Sequence, residues 1–183
     1  ETQDTHSEVW NHGYTLYDET IRTPLIVRFP DETGAGTRVK RLVSNVDVMP
    51  TVLEWLGLPL PNRVEGSSVM PLLNGTQRTP ATPVFSESTK PYTPVGDSPW
   101  PNDLRWKATR DDRYKLLFHP VDDAYELYDL RDDPGETHNL FPIVTDLGLE
   151  DRLQSLTEAV HEFRNRADPL PIVEQGSEEV HRQ

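Results

Sequence analysis

Cysteine is absent from this 183-residue chain. Disulfides, thiolate metal sites and a cysteine nucleophile are thereby excluded within it. Long hydrophobic runs are missing too. None approaches the roughly 18–20 residues that a membrane-spanning helix needs. Positive charge is scarce: 18 Lys and Arg stand against 31 Asp and Glu, a net charge of −13. A field of that sign repels nucleic acid and anionic lipid, so neither is an expected partner. The acidic excess is not gathered in one block. There are 8 basic and 12 acidic residues up to Trp100, and 10 and 19 from Pro101 onward. That spread suits a solvated acidic surface, as in proteins adapted to high salt, better than an interaction tail. No Gly-rich phosphate loop, basic patch, nucleophile elbow or zinc motif is present, and there is no internal repeat.

What is present is enough to fold. Only 34% of residues are hydrophobic and the mean hydropathy is −0.66, yet four Trp, six Tyr and five Phe can anchor a core. The length fits one ordinary domain or two small ones. The first residue is Glu1, and Asp4, His6 and Glu8 stand where an apolar signal core would have to be. The chain reads as a piece of something longer. Composition fixes no compartment; the acidic, cysteine-free chain leans toward the cytoplasm of a salt-adapted cell.

Periodicity divides the chain in two. Residues 1–15 read as a polar loop. A helical turn follows over residues 16–22, where Asp18 and Arg22, four apart, are expected to pair. Leu25-Ile26-Val27-Arg28-Phe29, closed by Pro30, reads as a buried strand, and Arg38 to Val43 as a second extended piece. Val48 to Leu56 is a helix with Asp47 at its cap, Pro50 in its first turn and Gly57 at its end. One helical turn over residues 67–73 stops at Asn74-Gly75. From Thr79 to Pro101 prolines recur in a long loop, within which Val84-Phe85-Ser86 is a short strand.

Alternation of period two then sets in. Leu104, Trp106 and Ala108 lead through Asp111-Asp112 to a partner strand, Arg113 to Phe118, and Tyr125 to Leu130 makes a third antiparallel strand. Asp132-Asp133-Pro134-Gly135 is a turn in which Gly135 accepts a positive φ. Leu149, Leu153, Leu156, Val160 and Phe163 form the stripe of one long helix, suited to cover one face of the sheet. The expected divisions are residues 1–79, 80–167 and an acidic tail, 168–183. One strand and one helix cannot make a core, so the first division expects partner strands from elsewhere.

Among polar residues, His12 stands out. It precedes Gly13, which lets backbone and ligand approach closely, and imidazole is readily poised near pH 7 as acid, base or anion contact. Its neighbours Trp10, Tyr14 and Tyr17 could wall a pocket. A metal set of Asp4, His6 and His12 matches no ligand spacing and lacks a fourth member, so no metal ligand is assigned. Asp132, Asp133 and Glu136 read as a turn rather than a cation site. His119, His138 and His161 are isolated, His161 on the polar side of the long helix, and Trp106 reads as packing.

Several strings together resemble the sulfatase family. They are His12-Gly13 with Leu16-Tyr17-Asp18-Glu19 and Arg22-Thr23-Pro24-Leu25-Ile26-Val27; Val43 to Thr51; Glu65-Gly66-Ser67-Ser68 before Pro71 to Gly75; and Glu126-Leu127-Tyr128-Asp129-Leu130 with Asp133-Pro134-Gly135-Glu136 and Asn139-Leu140. They occur in the family's order over roughly residues 1–165. The resemblance implies an α/β fold: the end of an alkaline-phosphatase-like core, then a small C-terminal antiparallel sheet packed on one long helix. It implies a C-terminal part of an enzyme that hydrolyses sulfate esters, small-molecule or carbohydrate, beginning just after the family's Asp-His-Gly string, with Glu1 as the residue after it.

The resemblance places the formylglycine nucleophile and the Ca²⁺ ligands upstream. No Ser-x-Pro-x-Arg string is present here, so the fragment alone is expected to be inactive. His12 matches the position where sulfatases set a Lys or His against the sulfate group, and His6, Trp10 and Tyr14 become pocket candidates. A phosphonate or phosphate ester hydrolase of the same superfamily is the nearest alternative. A non-catalytic acidic binding domain is the rival from another class.

Overall fold

Alternating side chains in the second half produce a sheet buried on both faces. The computed structural model describes residues 15–62, 64–73, 75, 83–88 and 105–165. The elements in chain order are α1 (Asp18–Ile21), α2 (Val48–Trp55), α3 (Met70–Leu73), β1 (Val84–Glu87), β2 (Lys107–Arg110), β3 (Tyr114–His119), β4 (Ala124–Asp129) and α4 (Glu150–Asn165). The four strands form one antiparallel sheet in the order β1-β2-β3-β4. The hairpin, the third strand and the short strand near Phe85 therefore stand as the periodicity predicts.

One face packs on α4. Tyr114, Leu116, Phe118 and Leu127 meet Leu156 and Val160, and Phe85 stacks on Phe163 at 4.8 Å. The other face is covered by the first half of the chain: Trp106, Ala108, Leu117 and Tyr128 receive Leu16 and Tyr17. Asp111 closes the β2–β3 turn by accepting the N–H groups of Arg113 and Tyr114, both at 2.7 Å. Its other oxygen lies 2.9 Å from Arg152, which ties the turn to α4. His161 is half-buried rather than on a polar face, because the Tyr125 hydroxyl meets its Nε2 at 2.9 Å.

The first half departs from expectation in two places. Residues 23–29 belong to no strand, and Ile26 is 89% exposed. A strand needs a ladder partner, and the sheet of the described residues runs elsewhere. Asp18 does not pair with Arg22; its carboxylate goes to Arg110 and Lys115.

Around α2 the chain is knotted by polar bonds. Asp47 sits at the helix start as expected, but its carboxylate faces backward. Oδ2 accepts the Ser44 N–H at 3.0 Å and Oδ1 the Ser67 N–H at 2.7 Å. Thr51 Oγ1 donates to the Asp47 carbonyl at 2.6 Å and accepts from Val69 N–H at 2.9 Å. Gly57 ends the helix at φ +66. Gly66 is needed for closeness rather than for dihedral freedom: a Cβ there would stand 2.0 Å from the Val46 carbonyl oxygen. Gly66→Ala is expected to lower stability by about 1–3 kcal/mol, since backbone must move to admit the methyl. Thermal melting checks it against Gly36→Ala, whose Cβ meets nothing within 4 Å and which bears only left-handed strain of about 1–2 kcal/mol. No loss at Gly66 would show that the crowding there is relieved without cost.

Candidate functional site

His6, Trp10, His12 and Tyr14 lie outside the described residues. The structure shows instead how the chain immediately after them is held. Leu16, Tyr17 and Asp18 are consecutive, all buried, and each is fixed differently. Leu16 is apolar packing. The Tyr17 hydroxyl donates to Glu126 Oε2 at 3.0 Å, an oxygen that Tyr128 also reaches, at 2.7 Å. Asp18 enters an ionic cluster on the same sheet face.

Strand register builds that cluster. Arg110 and Lys115 are cross-strand partners on β2 and β3, with side chains on the face that covers Leu16 and Tyr17. Arg110 lies 2.6 Å from Asp18 Oδ2, and Lys115 Nζ lies 3.0 Å from Asp18 Oδ1 and 2.6 Å from Glu136 Oε1. Glu136 Oε2 in turn accepts the backbone N–H of Asp18. Burial pushes the Asp18 carboxyl upward, but Lys115 and then Arg110 outweigh it and hold the group below the usual carboxylate range.

The turn that delivers Glu136 differs from the sequence reading. Gly135 does not take the positive φ; Glu136 does, at φ 53. A glycine stands beside the position that needs one, so the backbone strain is borne to place this side chain.

The second cluster is less charged. Burial, then the Glu126 carboxylate, raises the ionisation of the Tyr17 and Tyr128 phenols far above the ordinary tyrosine value, so both stay protonated donors. His119 stacks on Trp106 at 3.6 Å between centroids, and its Nε2 lies 3.3 Å from Glu126 Oε1. Burial lowers its pKa more than Glu126 raises it, so the ring is neutral near pH 7. A cleft of about 800 Å³ opens beside the ionic cluster. Residues 21–25 and 39–46 form one wall and the sheet the other, with Arg110 and Lys115 in its lining.

The sequence reading assigned Lys115 and Arg110 no site role and took Glu136 only as part of a turn. One signal was available: Lys115 alternates onto the face of Leu117, and a sheet covered on both sides must pair such a lysine. The string 126–140 is now legible bond by bond. Glu126 takes the two phenols, Asp129 binds Arg113 at 2.6 Å, and Asp133 accepts the N–H groups of Thr137 and His138. Asn139 Oδ1 accepts those of Leu127 and Phe141.

The sequence profile of a family described as N-sulphoglucosamine sulphohydrolase, C-terminal, matches residues 8–165. An N-acetylglucosamine-6-O-sulfatase of Bacteroides thetaiotaomicron is 29% identical over 162 residues, covering 87% of this chain and 28% of that protein. Human arylsulfatase A is 29% identical over 149 residues, covering 69% and 27%. The solved phosphonate monoester hydrolase of Silicibacter pomeroyi superposes with a TM-score of 0.62 at 28% identity, over 85% of this chain and 31% of that one. The chain spans between about a quarter and a third of the length of these relatives. Its match across residues 8–165 and the α/β likeness to alkaline-phosphatase-like structures together place the chain in the N-sulphoglucosamine sulphohydrolase C-terminal family of sulfatases.

Proposed function

We propose that the protein carrying this chain hydrolyses sulfate esters, and that these residues supply His12 together with the sheet on which residues 16–18 are packed. The observation that carries the proposal is the family match over residues 8–165, within which the buried segment Leu16–Tyr17–Asp18 begins four residues after His12. Cleaving a sulfate ester builds negative charge on the leaving oxygen while the sulfuryl oxygens must be held. An imidazole at His12 meets both demands, as proton donor and as anion contact. His6, Trp10 and Tyr14 are assigned to the surrounding pocket.

The family implies a formylglycine nucleophile and a Ca²⁺ ion. The residues here fit neither. Cysteine and a Ser-x-Pro-x-Arg string are absent, and among the described residues no group of three or more His, Asp or Glu could hold a metal ion. We assign both to the remainder of a longer enzyme, and the 183 residues alone are inactive on this reading. Exposed Leu25, Ile26, Val27 and Val39 support a larger protein around the first half, because an apolar row of this kind is costly to leave in water.

A sulfated sugar is the first substrate to try. One relative is an N-acetylglucosamine-6-O-sulfatase, and a structural neighbour at TM-score 0.50 was solved with its substrate D-glucosamine-2-N,6-O-disulfate. Phosphonate ester hydrolysis is kept as the second reading because of the Silicibacter structure. Turnover of an aryl sulfate, a glucosamine sulfate and an aryl phosphonate monoester by the full-length protein separates the two. A kcat/KM higher for either sulfate supports the proposal. A clear preference for the phosphonate supports the second reading, and no turnover of any of them leaves a binding domain.

A further inference from the structure

Glu126 joins the two halves of the chain. Its Oε2 accepts the Tyr17 hydroxyl at 3.0 Å and the Tyr128 hydroxyl at 2.7 Å. Tyr17 belongs to the first half and Tyr128 to β4. Oε1 faces His119 instead. Nε2 of that ring lies 3.3 Å away, is buried, and makes no hydrogen bond among the described residues. Stacking on Trp106 at 3.6 Å between centroids holds the ring in place. A buried ring nitrogen set against a carboxylate but not bonded to it is a costly arrangement for packing alone.

A neutral ring tolerates this geometry; a charged one does not. A buried imidazolium needs a hydrogen-bonded counter-charge. Glu126 is that group, and turning its carboxylate toward Nε2 draws Oε2 off the phenols. The Tyr17 bond is the longer of the two, and Tyr128 shares a strand with Glu126, so Tyr17 is the one released. We propose that His119 and Glu126 form an acid-sensitive latch: protonation of His119 takes Glu126 away from Tyr17 and loosens residues 16–21 from the sheet. Among the described residues, the groups facing His119 are Glu126 on β4, Asp122 in the β3–β4 turn and Trp106 just before β2. Burial favours the neutral ring and outweighs both carboxylates. Folded His119 therefore binds its proton less readily than the unfolded chain does, whose value is near 6.5. The latch is complete above about 6.5 and opens as pH falls below it. Asp18 does not contribute in that window, because its carboxyl titrates below about 3.9.

Hydrogen exchange in the full-length protein, corrected for the intrinsic rate, reads the latch at the Thr20 and Ile21 amides, which donate to the Tyr17 carbonyl. Between about pH 7.5 and about pH 5 their protection is expected to fall roughly tenfold, the scale of one hydrogen bond to a charged group. In His119→Gln, which has no ring to titrate, protection does not change over that interval. In Tyr17→Phe, which lacks the hydroxyl, protection is low at both ends of it. Flat protection in the wild-type protein overturns the proposal. So does a fall that persists unchanged in His119→Gln, or a Tyr17→Phe protein that matches the wild type at both ends. Should His119→Gln fail to fold, the comparison of Tyr17→Phe with the wild type decides alone.

Discussion

Replacing Lys115 by methionine is expected to remove about 3–5 kcal/mol from the stability of the C-terminal sheet. The lysine is completely buried, and its two partner carboxylates are 9% and 2% exposed. A neutral side chain of similar length fills the same space, so no cavity accounts for the loss. What is lost is the ammonium paired with Glu136 and one of the two cations paired with Asp18. Two buried carboxylates would then keep the Arg110 guanidinium, which touches Asp18, without the ammonium between them. Lys107 offers the contrast. It is as buried, but its partner Glu87 is more exposed and keeps Arg105 at 3.2 Å, so Lys107→Met is expected to cost less. Amide hydrogen exchange of Leu116 and Leu117 in the full-length protein reads the effect locally, without requiring all-or-none unfolding. Protection falling by about 10²-fold or more is expected; a change under tenfold would mean that the pair contributes no more than a surface salt bridge.

The pH dependence of the same site has a definite sign. Asp18 has a folded pKa below its unfolded value near 3.9. Its contribution is therefore complete above about 3.9 and is lost as pH falls through the lower, folded value. With Lys115 gone the difference between the two states narrows, and that acid-sensitive part of the stability shrinks.

Periodicity made the sheet and its long helix legible because those residues carry their own partners. Leu116 and Phe118 alternate with Lys115 and Leu117, and the stripe from Leu149 to Phe163 has a sheet face within the same stretch of chain. Residues 25–29 have the composition of a strand but no ladder partner among the described residues, so local pattern and local structure part company there. His12 is singled out by its neighbours and by the family strings, but it lies outside the described residues. The ionic cluster was not legible, because it joins residues 97 and 118 positions from Asp18, and each part explains itself locally: Lys115 as a strand residue, Glu136 as the end of a turn. The positive φ was assigned to Gly135 on turn chemistry; tertiary bonds moved it to Glu136.

The central claim is that His12 acts on the sulfate group. Removing one preorganised donor at a developing charge costs about 10²–10³-fold in rate. The imidazole is asked to stabilise the leaving oxygen, where charge appears only as the bond breaks, so the loss belongs mainly in kcat. The most direct measurement is steady-state hydrolysis of an aryl sulfate by the full-length enzyme and its His12→Ala variant. The account predicts kcat lowered by about 10²–10³-fold, with hydrogen-exchange protection of β3 unchanged. Equal kcat in the two proteins would contradict it, and residues 16–18 would then be an anchor for the fold alone.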